Sequence, residues 1–199
     1  MGLSDIFIRE AWLQFCMENS AEFIGGGLRK SDRVELKFRQ WVIVLDTYVI
    51  NSDIATTTYT RMRTLIANPR EFRFRVCRQD LFNRLSMLFG MQDINIGDPK
   101  FDAEFIVQTS SIPQMTRLLS QPRIKQLFYV QPQIDIQIRD DEGFWGPAFP
   151  EYADELYFFT EGTIGDVERL KNLFGLYQEI LMHLSEAGVI DSRDPGATL

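Results

Sequence analysis

Trp41-Val42-Ile43-Val44-Leu45-Asp46-Thr47-Tyr48-Val49-Ile50, then Asn51-Ser52-Asp53, then Thr56-Thr57-Thr58-Tyr59-Thr60-Arg61-Met62-Arg63-Thr64-Leu65 is the stretch on which the fold turns. β-Branched and aromatic residues dominate both runs, and the Asn-Ser-Asp between them is turn chemistry. The pattern predicts two strands joined by a hairpin. The first run begins upstream at Val34 and is apolar on both alternations through Val42–Leu45, which places its middle between two covered faces. Ala67-Asn68-Pro69-Arg70 predicts a second turn and Phe72 to Arg78 a third strand, giving an antiparallel meander.

Working outward, Ser4 is placed to cap a first helix reaching about Asn19, and Gly25-Gly26-Gly27 reads as a joint after it. Residues 1–30 are therefore expected to form a helical N-terminal extension. The glycine triplet lacks the spacing of a phosphate loop. Asp80 is placed to cap a short helix through Phe89, closed by Gly90; Asp98-Pro99 marks a turn before a strand at Phe105-Ile106-Val107. Ser111 and Pro113 open a helix through Leu118, and Gln121-Pro122 opens another through Phe128. Ile134, Ile136 and Ile138 alternate with Asp135, Gln137 and Arg139 as a half-buried strand, and Glu155 to Thr160 predicts one more. The last helix starts after Asp166, carries Leu170, Phe174, Tyr177, Leu181 and Leu184 on one stripe, and stops at Gly188, with a loose tail over 191–199. Together these elements predict one α+β domain over 1–199: a mainly antiparallel sheet packed by a long C-terminal helix and shorter helices.

Charge is segregated along the chain. Residues 29–84 hold twelve Arg and Lys against six Asp and Glu, a balance of +6, while the remainder stands at −13, making −7 overall. A pI near 4.8 argues against nucleic acid as a partner, because most of the surface repels a polyanion. No apolar run approaches the length of a transmembrane helix and no secretory signal opens the chain, so the expected location is cytoplasmic. Cys16 and Cys77 are expected to be buried small apolar residues rather than a disulfide.

Within the basic segment, Arg61 and Arg63 fall on the second strand and Arg73 and Arg75 on the third. A hairpin register centred near Asn68 would set Arg63 opposite Arg73 and Arg61 opposite Arg75, with all four guanidiniums on one face. Like charges directly opposite are destabilising, so something must compensate. Internal carboxylates are one answer, with Asp140, Asp141 and Glu142 as candidates. An external anion is the other, and arginine suits bidentate carboxylate or phosphate recognition. Arg61, Arg63, Arg73 and Arg75 are thus the candidate binding residues, with an acidic protein or an anionic small ligand as the partner class.

Neither a catalytic constellation nor a cofactor or metal motif is legible. The only histidine, His183, reads as a boundary residue of the last helix, and the acidic group Asp135, Asp140, Asp141 and Glu142 lacks calcium-loop spacing and reads as a solvated turn. Phe144-Trp145-Gly146-Pro147-Ala148-Phe149-Pro150 reads as an aromatic plug over the core.

Several segments together, Thr57–Arg63, Gly90-Met91-Gln92-Asp93, Phe101-Asp102, Phe105-Ile106-Val107, Pro122-Arg123-Ile124, Asp140–Gly143, Glu155–Phe158 and Asp194-Pro195-Gly196, resemble a family of uncharacterised bacterial proteins. The resemblance runs from about residue 40 onward and implies a bacterial source and a soluble single-domain product, without an activity or ligand. The leading functional expectation is a non-enzymatic binding or regulatory module. The alternatives are a hydrolase-like enzyme with a dispersed carboxylate site and a structural subunit that oligomerises through the aromatic loop or an edge strand.

Overall fold

The computed structural model describes residues 3–27, 31–51, 55–82, 91–140, 149–191, 193, 195, 196 and 199. Among the described residues nine strands make one antiparallel sheet: β1 (Glu22–Ile24), β2 (Arg33–Phe38), β3 (Trp41–Asn51), β4 (Thr56–Ala67), β5 (Phe74–Arg78), β6 (Gln92–Ile94), β7 (Phe105–Thr109), β8 (Asp135–Arg139) and β9 (Ala153–Glu161). Their spatial order is β1-β2-β3-β4-β9-β8-β5-β7-β6. The described helices are α1 (Leu3–Asn19), α2 (Gln79–Phe82), α3 (Pro99–Glu104), α4 (Ile112–Leu119), α5 (Pro122–Tyr129) and α6 (Val167–Glu186). The architecture is α+β, with the long C-terminal helix in place.

One row of side chains explains how the sheet makes a core. Phe23, Val34, Leu45, Met62, Phe158, Ile136, Val76, Val107 and Ile94 are register partners in sequence across all nine strands. All point to the same face because each strand alternates with period two. Against this face lies the buried stripe of α6, Leu170, Leu173, Phe174, Tyr177, Ile180, Leu181 and Leu184. The Tyr177 hydroxyl, fully buried, donates to the Met62 carbonyl at 2.6 Å and so ties the helix to the middle of the sheet. Asp166 caps α6 by accepting from the Arg169 amide, and Gly188 ends it at φ +64°, a left-handed conformation glycine adopts without cost.

Four expectations are corrected. The run from Val34 to Ile50 is two strands, β2 and β3, folded back at Arg39 (φ +53°). Helix α1 begins at Leu3, so Ser4 lies inside it rather than at its cap. Nor is α1 an extension: Trp12 donates its indole N–H to the Ile164 carbonyl at 2.8 Å, and Phe15 stacks on Phe174 at 4.5 Å between ring centres. The tail is held at its start, where the Asp191 amide donates to the Ala67 carbonyl.

A fifth correction is topological. β3 and β4 pair as expected, but β4 and β5 are not neighbours: β9 and β8 stand between them. The turn after β4 is locked by Asn68, whose side chain accepts from the Phe72 amide and donates to the Phe72 carbonyl. Inserting β9 and β8 avoids setting arginine against arginine and brings carboxylates into the adjacent strands. The aromatic loop over 144–148, Asp141 and Glu142, and the helix expected through 83–90 with its Gly90 stop, lie outside the described residues.

Candidate functional site

The sheet face turned away from α6 carries the arginines. Glu35, Val44, Arg63, Tyr157, Gln137, Arg75, Gln108 and Asp93 form its register row from β2 to β6. Arg61, Arg63 and Arg75 project to this side, and Arg63 and Arg75 share one row, three strand spacings or about 14 Å apart; Arg73 lies just before β5 and pairs with Asp154, the register partner of Ile66 on the alternation that faces α6. The expected opposition of Arg63 to Arg73 and of Arg61 to Arg75 does not occur.

Each of the four meets a carboxylate of the same chain. Arg61 donates to Asp46 through Nε at 2.5 Å and Nη2 at 3.1 Å, and Arg63 reaches the same carboxylate through Nη2 at 3.0 Å. Arg75 grips Asp135 in a fork, Nη2 to Oδ2 at 2.6 Å and Nε to Oδ1 at 3.0 Å. Arg73 bonds Asp154 and stands 3.4 Å from Asp140. A fifth arginine, Arg139, holds Glu155 Oε2 with Nη2 at 2.6 Å while its guanidinium lies over the Tyr157 ring at 3.5 Å. Burial pushes the carboxyls of Asp135, Asp154 and Glu155 above the usual range, and the neighbouring guanidiniums offset that only in part. Asp135 is therefore a buried ion-pair partner rather than part of a solvated turn. The charge is matched internally, and the quartet is a structural network that fixes which strands sit side by side.

Two other arginines are differently placed. Arg70, in the turn after β4, and Arg117, on the outer side of α4, are exposed and border a groove of about 410 Å³ between α4 and the C-terminal end of α6. No ion pair or hydrogen bond engages either guanidinium among the described residues. The groove is floored by Leu118, Leu184 and Val189, all buried, with Pro113 at its side. His183 and Glu186 complete the polar rim; His183 Nε2 lies 3.6 Å from Glu179. Arg70 Nη2 approaches to 3.7 Å of where a side chain on Gly188 would begin, which sets its charge against the carbonyl end of α6.

Sequence reasoning missed this groove. Arg70 appeared only as a turn residue and His183 as a boundary residue, and Arg117 was not singled out within the helix through Leu118. Nothing in the spacing of the three links them, because α4 meets α6 only through tertiary packing. Among the described residues, no three His, Cys, Asp or Glu side chains converge in a metal-ligating arrangement, and no helix is long and apolar enough to cross a membrane. No family model, curated protein or solved structure matches the chain.

Proposed function

We propose that the chain is a binding module that takes an anionic group, as the charge segregation suggests, and that the groove between α4 and α6 receives it rather than the sheet face. The observation that carries this reading is a pair of guanidiniums, Arg70 and Arg117, without an ion-pair or hydrogen-bond partner among the described residues and set over an apolar floor. A carboxylate or phosphate at the rim would replace water on both arginines, and a short apolar body would cover Leu118, Leu184 and Val189. The volume of about 410 Å³ falls in the range of small-molecule sites. Asp46, Asp135 and Asp154 already occupy the quartet, so an anion there would have to displace a buried carboxylate.

The test uses octanoate, octyl phosphate and octyltrimethylammonium as probes, read by calorimetry and by amide shift perturbation. The two anions saturate wild-type protein and shift α4 and the end of α6, and the cation does not bind. The double variant Arg70→Glu/Arg117→Glu loses affinity by roughly a hundredfold, about tenfold for each charge-assisted contact. Equal binding of all three probes, or anion binding untouched in the variant, would defeat the proposal.

A further inference from the structure

The groove between α4 and α6 holds an acid as well as two bases. Glu186, the last residue of α6, stands exposed on its rim. Like Arg70 and Arg117, it has no ion-pair or hydrogen-bond partner among the described residues. Its position runs against the helix dipole, which favours a cation rather than a carboxylate in the last turn. Two basic side chains stand nearby without relieving it. Arg70 meets α6 at Gly188, two residues further on, yet makes no ion pair with Glu186. His183, three residues back on the same side of the helix, sets its Nε2 3.6 Å from Glu179 instead. Opposite charges that line one groove without closing on each other leave space between them for a group of each sign.

A simple fatty anion would answer Arg70 and Arg117 but leave Glu186 facing its negative end. An ammonium group beside the carboxylate reverses that repulsion and gives Glu186 a charge-assisted hydrogen bond. We infer, resting on the anion site proposed above, that the ligand of this groove is a free α-amino acid with an apolar side chain. The guanidiniums hold its carboxylate, its ammonium donates to Glu186, and its side chain covers Leu118, Leu184 and Val189. Gln114, on α4, and Gln121, just after it, bring side-chain amides to the same groove, each without a partner among the described residues. An amide both donates and accepts, so it serves either end of such a ligand. Two guanidiniums outweigh one carboxylate, and a lone cation is repelled; the ammonium is admitted because it arrives with its own anion. Blocking either end in a peptide bond removes one of the two adjacent charges, which selects the free amino acid over a peptide chain.

Calorimetry on the full chain tests this with octanoate, 2-aminooctanoate and 2-hydroxyoctanoate, three carboxylates that share one tail and differ at a single substituent. Wild-type protein is expected to bind 2-aminooctanoate roughly tenfold more tightly than octanoate, the effect of one added charge-assisted contact at an exposed rim. The hydroxy compound, similar in shape but without the positive charge, should bind about as octanoate does. Glu186→Gln, at an exposed position, should weaken 2-aminooctanoate by about tenfold while octanoate binds unchanged or more tightly. Binding of none of the three compounds would sink the anion site itself, and the amino acid with it. Octanoate binding without a preference for 2-aminooctanoate overturns the amino-acid assignment alone. So does a preference shared by the hydroxy compound, or one that survives Glu186→Gln.

Discussion

Replacing Arg139 with Met strips the main partner from the most deeply buried carboxylate of the sheet face. Glu155 is fully buried, and Arg139 supplies two contacts to its Oε2, at 2.6 and 2.7 Å. Methionine keeps an apolar stem of similar reach over Tyr157, so the perturbation is chiefly electrostatic. Removing one partner of a buried pair costs about 3–5 kcal/mol. The low end, about 3 kcal/mol, applies here because Arg63 Nη1 still stands 3.9 Å from Glu155 Oε1. At about 2–4 °C per kcal/mol for a chain of this size, the melting temperature should fall by roughly 6–12 °C. Direction with pH follows from linkage. Burial already raises the folded pKa of Glu155 above its unfolded value, and losing Arg139 raises it further. A carboxyl raised in the folded state contributes stability below its unfolded pKa, and that contribution is lost as pH rises through the folded pKa. The deficit of Arg139→Met is therefore smallest near pH 4–5 and grows toward pH 7, in step with ionisation of the buried acid. Urea denaturation across that pH range reads it directly. Adding Glu155→Gln to the variant should restore much of the loss at pH 7, because the uncompensated charge is gone. A deficit under about 1 kcal/mol that is flat with pH and unchanged by Glu155→Gln would refute the account of this face as a buried, internally neutralised network.

Phe15→Ala should cost about 3–5 kcal/mol in urea unfolding, as a buried ring stacked on Phe174 is lost; a cost below about 1 kcal/mol would return α1 to the status of an appendage. Burial pushes the Cys16 thiol up to about 11 and the Cys77 thiol up to about 12, so both should resist a thiol reagent at pH 8 until denaturant is added. Rapid labelling of either in the native protein would contradict their placement.

Much of this fold was legible before any coordinates. The stripe on α6, the alternation in β8 and the β-branched density of β3 and β4 are local signals, since period and turn chemistry act within a few residues. That Arg61, Arg63 and Arg75 point away from α6 was legible too, because Met62, Phe74 and Val76 beside them are core residues and the alternation follows; Arg73, ahead of β5, does not follow it. What composition could not supply was strand order. The turn at Asn68 looks like a hairpin in sequence, but whether β5 returns beside β4 depends on a competition with β8 and β9, whose acids lie far along the chain. Asp46 meets Arg61 and Arg63 across the β3–β4 hairpin, but Asp135 and Asp154 became partners of Arg75 and Arg73 only when the sheet assembled in the order β4-β9-β8-β5. The same holds for Arg70 and Arg117, which share a groove because α4 packs on α6. Side-chain periodicity is written in neighbouring residues and can be read from them; which charges meet is decided by non-local pairing, where the low dielectric of the folded interior selects the arrangement that leaves fewest ions uncompensated.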